Sequence, residues 1–123
     1  MLKVILVFIG GGLGASTRYF FNTMLAGKIG NFPLSTLVIN IIGCFAMGVV
    51  VGVLAEKSHT ELYRLFIAVG FLGGFTTLSA FFAETIALIH AGQLHAVLIS
   101  ALGNIVVAFA ACVAGLKFSQ IFF

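Results

Sequence analysis

Four long apolar stretches, at about residues 4–25, 34–55, 65–90 and 95–118, follow one another along the chain. Three short interruptions separate them: KIGNFP at Lys28–Pro33, EKSHTE at Glu56–Glu61, and a tight turn at Ala91 and Gly92. Each stretch has at least the roughly 20 residues that a helix needs to cross hydrocarbon. Backbone groups in lipid must find partners within their own segment, which a helix provides. The pattern therefore predicts an all-α integral membrane protein of four transmembrane helices, a single membrane domain over residues 1–123. The third stretch breaks the pattern in Gly70–Glu84, GFLGGFTTLSAFFAE, where Gly73 and Gly74 precede the hydroxyls of Thr76, Thr77 and Ser79. A glycine pair beside hydroxyl residues lowers helix propensity and invites the backbone to unwind. Lipid tolerates unwinding only where the freed groups face protein, an ion or a water-filled cavity. The third helix is expected to be broken near its middle, and the break to mark a site.

The other stretches carry polar residues at helical spacing. Thr36 and Asn40 stand four apart in the second, Ser100 and Asn104 four apart in the fourth, and residues so spaced share a helix face. An asparagine amide cannot be left bare in hydrocarbon, so Asn40 either joins helices or lines a path. Glu84 is the only acid inside a stretch, and its place a turn and a half from the end suits a vestibule carboxylate better than a buried proton carrier. Gly10, Gly14, Gly43, Gly48 and Gly52 offer positions for close helix approach. Gly10–Ala15 spells G-x-G-x-x-A, but a dinucleotide fold needs a preceding strand and an acidic residue about 20 positions on, and neither is present.

Composition sharpens this reading. The 123 residues are 62% hydrophobic and 7% charged, against about 25% charged in soluble domains, and four spans of roughly 20 residues with short connections are expected to leave no room for an extramembrane domain. The net charge of +3 is scattered at segment ends, with no basic run to suggest nucleic acid. Cys44 and Cys112 lie in apolar segments and read as packed small hydrophobes. Met1–Ala15 has the outline of a signal peptide, but three further spans follow and none is needed. His59, His90 and His95 sit near membrane ends without partners at metal-ligand spacing. Three glutamates and three peripheral histidines assemble no catalytic pair, so an enzyme is not expected.

What remains is a set of neutral hydrogen-bond donors: Asn40, the hydroxyls at the break, Ser100 and Asn104. Hydroxyls and amides with few acids do not suit multivalent cations, and no deep carboxylate is present to drive a proton pump. A small anion fits better, with phenylalanine ring edges, which are electropositive, adding to the donors. Polar faces on at least three spans call for covering by a second copy. Lys3, Lys57, Arg64 and Lys117, offset by Glu56 and Glu61, lie on one side, and Arg18 and Lys28 on the other. The positive-inside bias is weak, so the chain could insert both ways and pair antiparallel with itself.

Gly70–Phe81, GFLGGFTTLSAF, resembles the G-x-x-G-G-x-T-T-F-S-T-F signature of the CrcB/Fluc family of fluoride channels. Thr36–Asn40 (TLVIN), the glycine-rich start followed by Arg18 and Tyr19, and the chain length match as well. The resemblance covers essentially the whole chain. It implies a dual-topology antiparallel homodimer in a prokaryotic plasma membrane, exporting cytoplasmic fluoride passively and so giving fluoride resistance. It implies an anion path at Asn40, Ser79 and Phe81, with Ser100 and Asn104 as a weaker polar track; Thr36, Glu84 and Arg18 are, from their places in the spans, the expected vestibule residues. It also implies a structural sodium ion on the dimer axis, held by the main-chain carbonyls of Gly73 and Thr76. Leu78 departs from the family's ring pair, and Ala80 replaces its threonine. Two alternatives stay open on the residues alone. A small multidrug-type proton-coupled exporter shares the size, although its embedded glutamate is missing from the first span, and a membrane assembly subunit would use the polar faces to bind partner helices.

Overall fold

The computed structural model describes residues 1–55 and 61–123. Residues 56–60 of the second connection, with Glu56, Lys57 and His59, lie outside the described residues. The described chain is all-helical, with four helices long and apolar enough to span a membrane. Helix α1 is Leu2–Leu25 and α2 is Leu34–Leu54. The third span, Glu61–His90, is divided into α3 (residues 61–75) and α4 (Ser79–His90). The fourth, α5, is Leu94–Phe122. Stretches of i→i+5 bonding occupy Arg64–Leu72 in α3 and Gly103–Val107 in α5.

The turn from α4 to α5 shows why the helix stops where it does. Gly92 takes φ +69°, its N–H bonds to the Ile89 carbonyl, and Gln93 N–H bonds to the Leu88 carbonyl. This pair of reversed bonds satisfies the last carbonyls and needs a left-handed residue, which glycine adopts without strain.

Two helix pairs form the framework, both through missing side chains. On α1, Gly10 lies against the Phe66 carbonyl and Gly14 against the Phe71 carbonyl of α3. On α2, Gly48 lies against the Cys112 carbonyl, while Gly115 of α5 lies against the Phe45 carbonyl. In lipid there is little hydrophobic drive to bring helices together, so backbone approach of this kind supplies the van der Waals contact. Phe75 seals the middle. It is 4% exposed, stacks on Phe71 at 6.1 Å and meets Phe21 edge-on at 5.6 Å.

The break falls later than the glycines suggested. Gly73 is helical, at φ −62°, ψ −37°, and Gly74 continues α3; the chain extends first at Thr76, at φ −75°, ψ 157°. The reason is that Gly74 serves contact and not flexibility. A Cβ there would stand 2.5 Å from the Gly11 carbonyl oxygen, so the glycine admits α1.

Candidate functional site

The break is made by hydrogen-bond diversion. In a continuous helix the Thr77 N–H would bond to the Gly73 carbonyl, and the Ala80 N–H to the Thr76 carbonyl. Instead Thr77 N–H donates to Asn40 Oδ1 at 2.9 Å, and Ala80 N–H donates to Thr77 Oγ1 at 3.2 Å. Thr77 thus caps the start of α4 in the manner of an N-cap hydroxyl, three residues ahead of the amide it accepts from. The Gly73 and Thr76 carbonyls lose their helical donors.

Asn40 holds this arrangement from α2. Its amide nitrogen donates to the Thr77 carbonyl at 2.9 Å and to Asn104 Oδ1 at 2.7 Å, while its oxygen takes the Thr77 amide. Asn40 is buried, 9% exposed, and every hydrogen of its amide is engaged. Asn104 in turn donates to the Ser100 carbonyl at 2.9 Å, and Ser100 is itself buried. Asn104 lies in the i→i+5 stretch of α5, where bonding is looser and functional residues are often found. The sequence-nominated residues Asn40, Ser100 and Asn104 are therefore brought together, with Asn40 joining them to Thr77. In the sequence Thr77 is one hydroxyl among three; nothing in its spacing distinguishes it from Thr76, whose hydroxyl bonds back to the Leu72 carbonyl.

A second polar contact lies one turn earlier on α2. Thr36 Oγ1 donates to Glu84 Oε1 at 2.7 Å, and Glu84 Oε2 is buried without a partner among the described residues. Glu84 borders a cavity of about 350 Å³ between the first connection and the end of α4, lined also by Asn31, Ser35 and Gln93. Across the break, Arg18 lines another cavity of about 520 Å³ together with Asn22, Thr77 and Ser79. Asn22 was missed from the sequence, although its place four residues after Arg18 puts it on the same face. Polar groups thus run from the Glu84 cavity along Thr36 and Asn40 to the break, and from the break to Arg18.

The phenylalanines divide. Phe81 is buried, and its ring lies 5.3 Å from that of Phe82, tilted by 50°. Leu78 projects from the chain with 66% of its surface exposed, one turn before Phe82, which is also exposed. Gly73 is exposed and borders an apolar groove of about 580 Å³ that runs past Met47, Val51 and Val69 to Arg64. Ser79 is exposed as well, and its hydroxyl stands 3.4 Å from that of Thr77.

The described residues form a small bundle of membrane-spanning helices, one of them interrupted at a buried polar cluster. Residues 5–116 match the family described as CrcB-like protein, Camphor Resistance (CrcB). The chain is 39% identical to the fluoride-specific ion channel FluC of Solibacter usitatus, over 89% of this chain and 92% of that protein. It is 44% identical to the protein of the same name from Paracoccus denitrificans, over 89% of this chain and 88% of that one. With the one from Azobacteroides pseudotrichonymphae it shares 36% identity over 98% of each chain. The chain belongs to the CrcB family and is a multi-pass membrane protein.

Proposed function

We infer that this protein is a fluoride-specific ion channel, through which cytoplasmic fluoride leaves the cell passively. The observation that carries the mechanism is the junction of Asn40, Thr77 and Asn104 at the broken helix. Fluoride enters from the Glu84 or the Arg18 cavity and meets neutral donors in place of water. Both amide hydrogens of Asn40 are already used, so an arriving anion gains one by displacing Asn104 Oδ1. Exchange of a neutral acceptor for a charged one strengthens the bond, by about a factor of two for hydrogen bonds of this kind. The hydroxyls of Ser79 and Ser100 and the edge of Phe81 complete the shell.

The working unit in this reading is an antiparallel homodimer with dual topology. Its support is the exposure of Gly73 and Ser79 beside the break, where unpaired backbone and hydroxyl groups are left that lipid cannot satisfy. The carbonyls of Gly73 and Thr76, deprived of their helical donors, suit a hard monovalent cation such as sodium, since such ions take oxygen ligands. Bound on the dimer axis, the ion would neutralise converging carbonyl dipoles. It has no part in moving the anion.

Purified protein in fluoride-loaded liposomes tests the function. Efflux of fluoride without chloride, too fast for a carrier, is expected. Proton-coupled uptake of an organic cation would instead establish an exporter, and silence a non-transporting subunit.

A further inference from the structure

The seam between α2 and α5 holds two reactive groups that the anion path does not use. Cys44 lies one turn before Gly48, and residues one turn apart share a helix face. Gly48 presents that face to α5, against the Cys112 carbonyl and with Leu116 N 2.8 Å from where its Cβ would be. Gly115, three residues after Cys112, is pressed in the same way against the Phe45 carbonyl. Gly52, one turn after Gly48, lies against Ser119, so the two helices run parallel in a register that sets residue 48 beside 112–116 and residues 45–49 beside 115. Cys44 and Cys112 come within about one residue of the same level on facing surfaces. Both thiols are free and half-buried.

Chemistry narrows what such a pair can hold. Among the described residues no three histidine, cysteine or acidic groups converge, so an ion here receives two sulfurs. Soft thiol-seeking ions of filled d shell accept linear two-coordination, whereas zinc seeks four ligands and calcium or magnesium six or more oxygens. Two thiolates on a divalent ion make a neutral unit, while a monovalent ion leaves a net charge in hydrocarbon, which is costly.

We propose that Cys44 and Cys112 form an intramolecular site for a soft divalent metal ion of the mercuric kind, which bridges α2 and α5. Each thiol gives its proton to water as its sulfur lone pair forms the metal–sulfur bond. One bound ion thus releases two protons, and no electron is transferred. The bridge spans the seam one turn beyond Asn40, on the far side of the Asn40–Asn104 bond.

The test uses the purified full-length protein in detergent with mercuric chloride alone as the probe. One equivalent should remove both titratable thiols, and intact mass should show one metal ion per chain. Denaturing gels without reductant should show no linked pairs of chains. Cys44→Ser and Cys112→Ser, each with one thiol left, should lose the metal to glutathione at concentrations about 100-fold lower than the wild type requires, because the second sulfur acts at high effective concentration. A wild type that needs two equivalents, mercury-linked chain pairs, or single-cysteine variants that hold the ion as tightly as the wild type would each overturn the proposal.

Discussion

Asn40 Oδ1 accepts the Thr77 N–H at 2.9 Å, the donor that an unbroken third helix would have given to Gly73. One side chain on α2 thereby fixes where α3 ends and α4 begins. It also couples the interruption to α5 through Asn104, 2.7 Å away.

Asn40→Asp keeps an acceptor for Thr77 N–H but replaces the amide nitrogen, with both its donated hydrogens, by one carboxylate oxygen facing the Thr77 carbonyl and Asn104 Oδ1. Fluoride efflux from liposomes should fall by at least about tenfold, equivalent to roughly 1.4 kcal/mol in the barrier. Phe81→Ile should also slow efflux, since it removes a ring edge while keeping an apolar side chain. Wild-type rates in either variant, assembled normally on size exclusion, would take that residue out of the path.

Leu78→Phe is expected to preserve or raise fluoride efflux without admitting chloride. Leu78 is 66% exposed and fills no core within its own chain, so overpacking inside the subunit does not arise. The gain expected from a ring edge is about 0.5–1.5 kcal/mol. A slow variant with weakened self-association would instead place position 78 in packing between copies.

Gly48→Ala should destabilise the bundle by about 1–3 kcal/mol or more, because its methyl would press into the Cys112 carbonyl and the backbone must yield. Gly12→Ala is the control, since a Cβ there meets nothing within 4 Å. Unfolding in a denaturing detergent series compares the two. Equal stabilities would show that the α2–α5 seam is not held by this contact.

Replacing sodium with a large organic cation should weaken dimerisation or slow efflux, because the Gly73 and Thr76 carbonyls would face each other without a counter-charge. Analytical ultracentrifugation and liposome efflux, run in matched sodium and N-methylglucamine buffers, check this. Unchanged behaviour in both would reject the carbonyl site.

Single cysteines at Asn31 and Gln120, introduced with Cys44 and Cys112 replaced by serine, report the direction of insertion. Both positions are exposed and lie at opposite membrane ends. An impermeant maleimide applied to intact cells should label about half of each population, as expected for a chain with weak positive-inside bias. Labelling of one site alone would mean a single topology.

The four apolar helices were legible because a run of some twenty apolar residues has few other stable forms, and lipid removes the rest. The polar pairs Thr36 with Asn40 and Ser100 with Asn104 were legible for a similar reason: helical periodicity fixes which residues share a face before any packing is known. Which faces meet was not, because a hydrogen bond from Asn40 to Thr77 joins positions 37 residues apart. The break illustrates the division. Glycine propensity pointed to Gly73 and Gly74, yet both stay helical, Gly74 packed on Gly11, and the unwinding moves to Thr76, next to the Thr77 backbone that Asn40 binds from another helix. Local preference of about 1 kcal/mol per glycine was outweighed by helix contact and buried hydrogen bonds that only the folded chain assembles.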